Sequence, residues 1–118
     1  MAHPIVGAWM VENIYGGDKR RCTVHSYRAD GTFTSSFTDG VFLGIWQPTD
    51  DYTAELTAKH PMHAEDGGFL GWYTIVGSHI QVSDDGQTFT GDGIGTPPGG
   101  EAPLVATLVG TRVRIESQ

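Results

Sequence analysis

Apolar residues recur at every second position in short stretches rich in Thr, Val, Ile and aromatics, and no stretch sustains the spacing of about 3.6 residues that marks an amphipathic helix. The alternation predicts half-buried strands and an all-β chain. Eight strands follow from it: Ile5–Glu12, Arg21–Tyr27, Thr32–Phe37, Gly44–Gln47, Tyr52–His60, Phe69–Val82, Gln87–Ile94 and Ala102–Glu116.

The connections alternate in kind. Ala29-Asp30-Gly31, Pro48-Thr49-Asp50-Asp51 and Ser83-Asp84-Asp85-Gly86 carry the chemistry of short hairpin turns. Between them lie longer links, Asn13–Arg20, Thr38–Leu43, Pro61–Gly68 and Gly95–Glu101. In a meander successive connections fall at opposite ends, so the short turns share one end with both termini and the long links share the other. This predicts an eight-stranded antiparallel up-and-down β-barrel, one end closed and one open, with room inside for side chains or one small ligand. An immunoglobulin-like sandwich is the alternative, but its Greek-key crossings would scatter the long connections.

Turn lengths set which side chains face inward. A three-residue loop at Ala29-Asp30-Gly31 pairs Tyr27 with Phe33, His25 with Ser35 and Thr23 with Phe37, and puts all of them on the inner face. In the fifth strand Tyr52, Ala54, Leu56, Ala58 and His60 face in, with His60 near the lip. In the sixth, Trp72, Thr74, Val76, Ser78, Ile80 and Val82 form the better inner set, although Phe69, Tyr73 and Ile75 lie on the opposite parity. The following turn is expected to bring Phe89 beside Ile80. In the last strand Val109, Thr111, Val113 and Ile115 alternate with Arg112, Arg114 and Glu116, whose basic members lie outside or cap the closed end.

Composition narrows the function classes. A chain of 118 residues is sized for one domain, and its 17 glycines fit a fold with many turns. The net charge of −7 argues against nucleic acid as a partner, and the early cluster Lys19, Arg20, Arg21 and Arg28 reads as solvated surface. Cys22 stands alone, so no intrachain disulfide forms and the thiol is expected to be a small structural residue. Neither a secretory leader nor a membrane-spanning run is evident, which makes the cytoplasm the expected compartment and membrane insertion unexpected.

Chemical motifs are sparse. His60-Pro61-Met62-His63 has a metal-ligand spacing but no third His or Cys pair, so it reads as a plain loop without metal. Gly91-Asp92-Gly93-Ile94-Gly95 has the look of a nucleotide loop, yet no helix follows it, and a bent strand end is the better reading. Asp39-Gly40, Glu65-Asp66 and Glu101 place carboxylates on the lip, His3 falls in a frayed terminus, and His79 points to solvent. His25 stands out: among Tyr27, Phe33 and Phe37 it would be buried, with its pKa pulled down and its imidazole neutral.

Gly7-Ala8-Trp9, together with Arg112 and Arg114, resembles the signature of the lipocalins and the wider calycin superfamily, and the chain looks most like short bacterial lipocalin-like domains. In that superfamily the first-strand Trp plugs the closed end and a late-strand Arg packs across it. The resemblance implies that Trp9 and an Arg at 112 or 114 meet by cation–π contact.

The expected function is binding of a small, mostly hydrophobic molecule in the cavity, lined by Phe33, Phe37, Trp46, Tyr52, Leu56 and Trp72, with His25 and His60 as polar anchors. The alternative is a small enzyme of cyclase or isomerase type, in which His25, Tyr27 or His60 moves a proton. A haem carrier with His25 as axial ligand is a third possibility; otherwise no cofactor is implied. The chain is expected to be a monomer or homodimer.

Overall fold

The alternation becomes eight antiparallel strands closed into one barrel in the computed structural model, which describes residues 2–38 and 40–116. In chain order they are β1 (Gly7–Tyr15), β2 (Lys19–Tyr27), β3 (Thr32–Phe37), β4 (Gly40–Asp50), β5 (Thr53–His63), β6 (Phe69–Val82), β7 (Thr88–Thr96) and β8 (Leu104–Arg112). Each pairs with the next, and β8 returns to β1 through Trp9 opposite Arg112. Among the described residues no helix is long and apolar enough to cross a membrane. The expected β2–β3 register is formed: Tyr27 faces Phe33 and His25 faces Ser35, around a turn in which Gly31 takes a left-handed φ of 90°.

The lip differs from expectation. β1, β4, β5 and β7 all extend further toward the open end, so the β1–β2 link shrinks to residues 16–18, and only 64–68 and 97–103 remain as longer loops. Extension pairs backbone groups that a loop would leave to solvent. The rim is therefore built largely of strand ends.

The closed end is filled from the N-terminal segment inward. Ile5 is fully buried, and its carbonyl accepts the Trp9 indole N–H at 2.9 Å. The Arg112 guanidinium lies 4.3 Å from the centre of the Trp9 ring. It donates to the carbonyls of Gly86 (2.8 Å), Val6 (3.0 Å) and Pro4. Arg112 thus caps the barrel from inside, whereas Arg114 is exposed. His3 is not frayed: its Nε2 donates to the carbonyls of Asp50 (2.9 Å) and Thr53 (3.1 Å), and its Nδ1 accepts the Ile5 N–H.

Three facing assignments are corrected. In β8 the inward positions are those of Leu108, Gly110 and Arg112, leaving Thr111, Val113 and Ile115 outside and Val109 on the outward parity. The cause is the Phe89 ring, which occupies the space in front of Gly110: a Cβ there would stand 2.3 Å from it. Phe89 pairs with Val82, not with Ile80. In β6, three residues span Gly77 to Ile80 while both neighbouring strands advance by two, a β-bulge centred on His79 with a left-handed φ of 52°. The extra residue flips the parity, so Ile80 and Val82 face in as expected, but Trp72, Thr74, Val76 and Ser78 fall on the outer parity, Val76 still bordering the cavity; Tyr73, Ile75 and Gly77 take the inner face instead. Cys22, expected to be structural, is exposed on the outside of β2.

Candidate functional site

Large side chains concentrate in the closed half: Trp9, Tyr27, Phe33 and Phe89 are all buried, with Trp46 beside them. Above this layer lies a cavity of about 370 Å³ that opens at the lip. Gly91, Gly93 and Gly95 alternate along β7 and face inward. Ile80, Leu108 and the Tyr73 hydroxyl pack directly on this strand, within 2.6–3.1 Å of where the glycine Cβ atoms would stand, and Gly93 and Gly95 border the cavity.

His25 forms the floor, 4 % exposed, its ring 5.0 Å edge-on to Phe33 and 6.3 Å from Phe89. Its Nδ1 lies 3.0 Å from the Tyr27 hydroxyl. That hydroxyl has no other partner among the described residues, and a buried O–H needs an acceptor. Tyr27 therefore donates to Nδ1, which fixes the imidazole tautomer with its proton on Nε2. Burial pulls the His25 pKa down to about 3 and pushes the Tyr27 hydroxyl well above its ordinary range. Both groups are neutral at physiological pH. Ser35, directly across the ladder from His25, is also buried and borders the cavity.

The walls differ in character. On the β4–β6 and β8 side they are apolar, with Phe42, Leu56, Ile75, Ala106 and Leu108. On β2 they carry Thr23 and, at the mouth, Arg21. Asn13 donates to Thr23 Oγ1 at 3.0 Å, while no described residue pairs with the Arg21 guanidinium. At the opposite rim His60 packs among Phe37 (5.2 Å) and Phe42 (5.3 Å), with Tyr73 against Phe42 (5.5 Å). The His60 Nδ1 donates to the Val41 carbonyl at 3.1 Å, so its Nε2 is the acceptor.

Of the residues singled out in the sequence, His25, Phe37, Leu56 and His60 line the cavity together. Tyr27, Phe33 and Trp46 lie beneath it as packing, and Trp46 spends its indole N–H on the Arg28 carbonyl. Tyr52 and Trp72 are not lining residues: Tyr52 sits in the closed-end turn at 45 % exposure, and Trp72 points outward at 56 %. Phe42 was missed because its stretch read as loop, and Tyr73 because the β6 bulge was not anticipated. Apolar residues that change parity within one long run, Tyr73 and Ile75 before Ile80 and Val82, are the signal that marks such a bulge.

His60-Pro61-Met62-His63 is not the loop expected of it but the end of β5, with His60 and His63 on opposite faces; no group of three or more His, Cys, Asp and Glu that could hold a metal occurs among the described residues. Asp39 lies outside the described residues. Glu65, Asp66 and Glu101 are exposed and do not border the cavity. No family model, curated protein or solved structure matches the chain.

Proposed function

We propose that this barrel binds one small, mostly hydrophobic molecule in its cavity. The observation that carries the reading is the cavity itself: about 370 Å³, walled chiefly by apolar side chains, and ending on a buried imidazole. That volume and that mixture match small-molecule sites in general. The enzymatic alternative draws less support, because acid–base groups work best with pKa values near the operating pH. His25 at about 3 is a feeble base at neutral pH, and Tyr27, pushed upward, is a feeble acid. The pair is suited to holding a proton in place.

The lipocalin-like kinship belongs to the same proposal, supported by the Arg112 guanidinium over Trp9 at the closed end. So does a cytoplasmic location, in which the exposed Cys22 thiol stays reduced.

The test is titration with an apolar naphthalene probe, followed by tryptophan fluorescence, in the native chain and in Ala106→Phe, which fills the cavity from β8. The native chain is expected to take up one equivalent, and the variant none at an unchanged unfolding midpoint. Equal uptake by a well-folded variant would place the probe elsewhere and refute the reading.

A further inference from the structure

We propose that the ligand is a neutral molecule that enters carbonyl-first, its oxygen accepting hydrogen bonds from His25 Nε2–H and the Ser35 hydroxyl. The inference rests on the cavity-binding reading and adds the ligand's chemical class and orientation.

Neither His25 Nε2 nor Ser35 Oγ hydrogen-bonds any described residue, yet no buried polar side-chain atom is sealed off without a partner. Both atoms therefore open onto the one space they border, the cavity. The Tyr27 hydroxyl occupies Nδ1, so the imidazole can only donate from Nε2. Ser35 adds a second hydroxyl donor opposite it on the ladder. Donors from facing ladder positions that border one cavity suit one oxygen with two lone pairs. A carboxylate is the poorer match, because no described residue places a cation at this depth and the anion would lose its hydration uncompensated. The lining cation, Arg21, belongs to the mouth. A pure hydrocarbon would leave both donors buried and unpaired.

Three probes with one apolar body separate these cases: methyl naphthyl ketone, ethylnaphthalene and naphthoate, each titrated against the native chain, His25→Phe and Ser35→Ala. The ketone is expected to bind the native chain about tenfold more tightly than naphthoate. Its preference over ethylnaphthalene should fall by about tenfold in His25→Phe and by less in Ser35→Ala. The infrared carbonyl stretch of the bound ketone reads the contact without any variant, and should lie below its frequency in hexane. Imidazole NMR of the free protein should find the proton on Nε2. A ketone bound with an unshifted stretch, a preference that survives His25→Phe, or a proton on Nδ1 overturns the inference while leaving cavity binding intact. If none of the three probes binds, the cavity-binding reading itself falls, and the inference with it.

Discussion

Folded His25 refuses a proton until about pH 3, whereas in the unfolded chain it titrates at its ordinary value of 6.5. Between those values the unfolded chain holds more protons than the folded one, so stability rises with pH. The contribution is fully present above the unfolded value and is lost as pH falls below it, levelling off near the folded value. With one proton at stake the slope approaches about 1.4 kcal/mol per pH unit. The accumulated loss from neutrality is about 2 kcal/mol at about pH 5. That is a sizeable share of the stability of a domain this small. The cause is local: Tyr27, Phe33 and Phe89 surround the ring, and none carries a charge to stabilise an imidazolium. Asp30 and Asp85 do not confuse the window. Hydroxyl and backbone donors of Thr32, and of Ser83 and Gln87, hold their carboxyls below the ordinary range, so their contributions are lost only below about pH 4. The assay is urea unfolding at several pH values between about pH 7 and pH 5, comparing the native chain with His25→Gln. The Gln oxygen keeps an acceptor for Tyr27 but takes no proton, and the other histidines cancel in the difference. The native chain should lose about 2 kcal/mol more than the variant over that span. Parallel pH profiles would refute the claim that His25 is buried neutral.

Other consequences follow from contacts at the closed end and in β6. Arg112→Gln removes the cation over Trp9 and abandons the carbonyls of Pro4, Val6 and Gly86, and should cost about 2–4 kcal/mol in urea unfolding. Gly110→Ala drives a methyl to within 2.3 Å of the Phe89 ring; a loss of at least about 1–3 kcal/mol is expected, and a thermal midpoint equal to that of the native chain would contradict the packing. His79→Gly relieves the left-handed φ of 52° but forfeits the 2.9 Å contact to Asp92, so it should be near neutral, whereas the β-branched His79→Val should cost about 1–3 kcal/mol. Equal midpoints for those two variants would argue that the bulge is absent.

What the sequence made legible follows the physics of each element. The hairpin closed by Ala29-Asp30-Gly31 is in the expected register, which sets Tyr27 opposite Phe33 and turns His25 inward, whereas the one closed by Ser83-Asp84-Asp85-Gly86 is not, since Phe89 meets Val82. Meander order was legible because short and long connections alternate. The parity of β6 and β8 was not, for a different reason in each. In β6 one added residue at a bulge reverses every facing assignment on its far side, and a lone His carries no turn signature. In β8 the inward run includes Gly110 and Arg112, residues that a hydrophobicity pattern assigns to the outside. They face inward because Phe89 fills one vacancy and Trp9 with the N-terminal carbonyls satisfies the other. The cavity was half legible: its floor lay in the β2–β3 register, but of its walls Phe42 comes from a stretch that reads as loop and Tyr73 from the parity that the β6 bulge reverses.

The distribution of bulk along the barrel axis connects these observations to function. Ile5, Trp9, Tyr27, Phe33, Val82 and Phe89, all at most 2 % exposed, occupy the closed half, where Arg112 and His3 tie the N-terminal segment across the bottom. Rigid packing there holds Tyr27, and Tyr27 in turn fixes the proton on His25 at the boundary between the two halves. The open half relies on ladder hydrogen bonds and a thinner lining, in which Leu108 and Tyr73 pack directly on Gly93 and Gly95 of β7. A hydrophobic core of this size rarely leaves space it could close, because each unfilled volume forfeits dispersion contacts and costs stability. Retaining about 370 Å³ above a well-packed floor is therefore a cost to the fold, and the floor's Tyr27 holds the His25 imidazole that borders that space. Stability and recognition meet at His25: the burial that keeps it neutral also presents it, already oriented, to whatever enters from the lip.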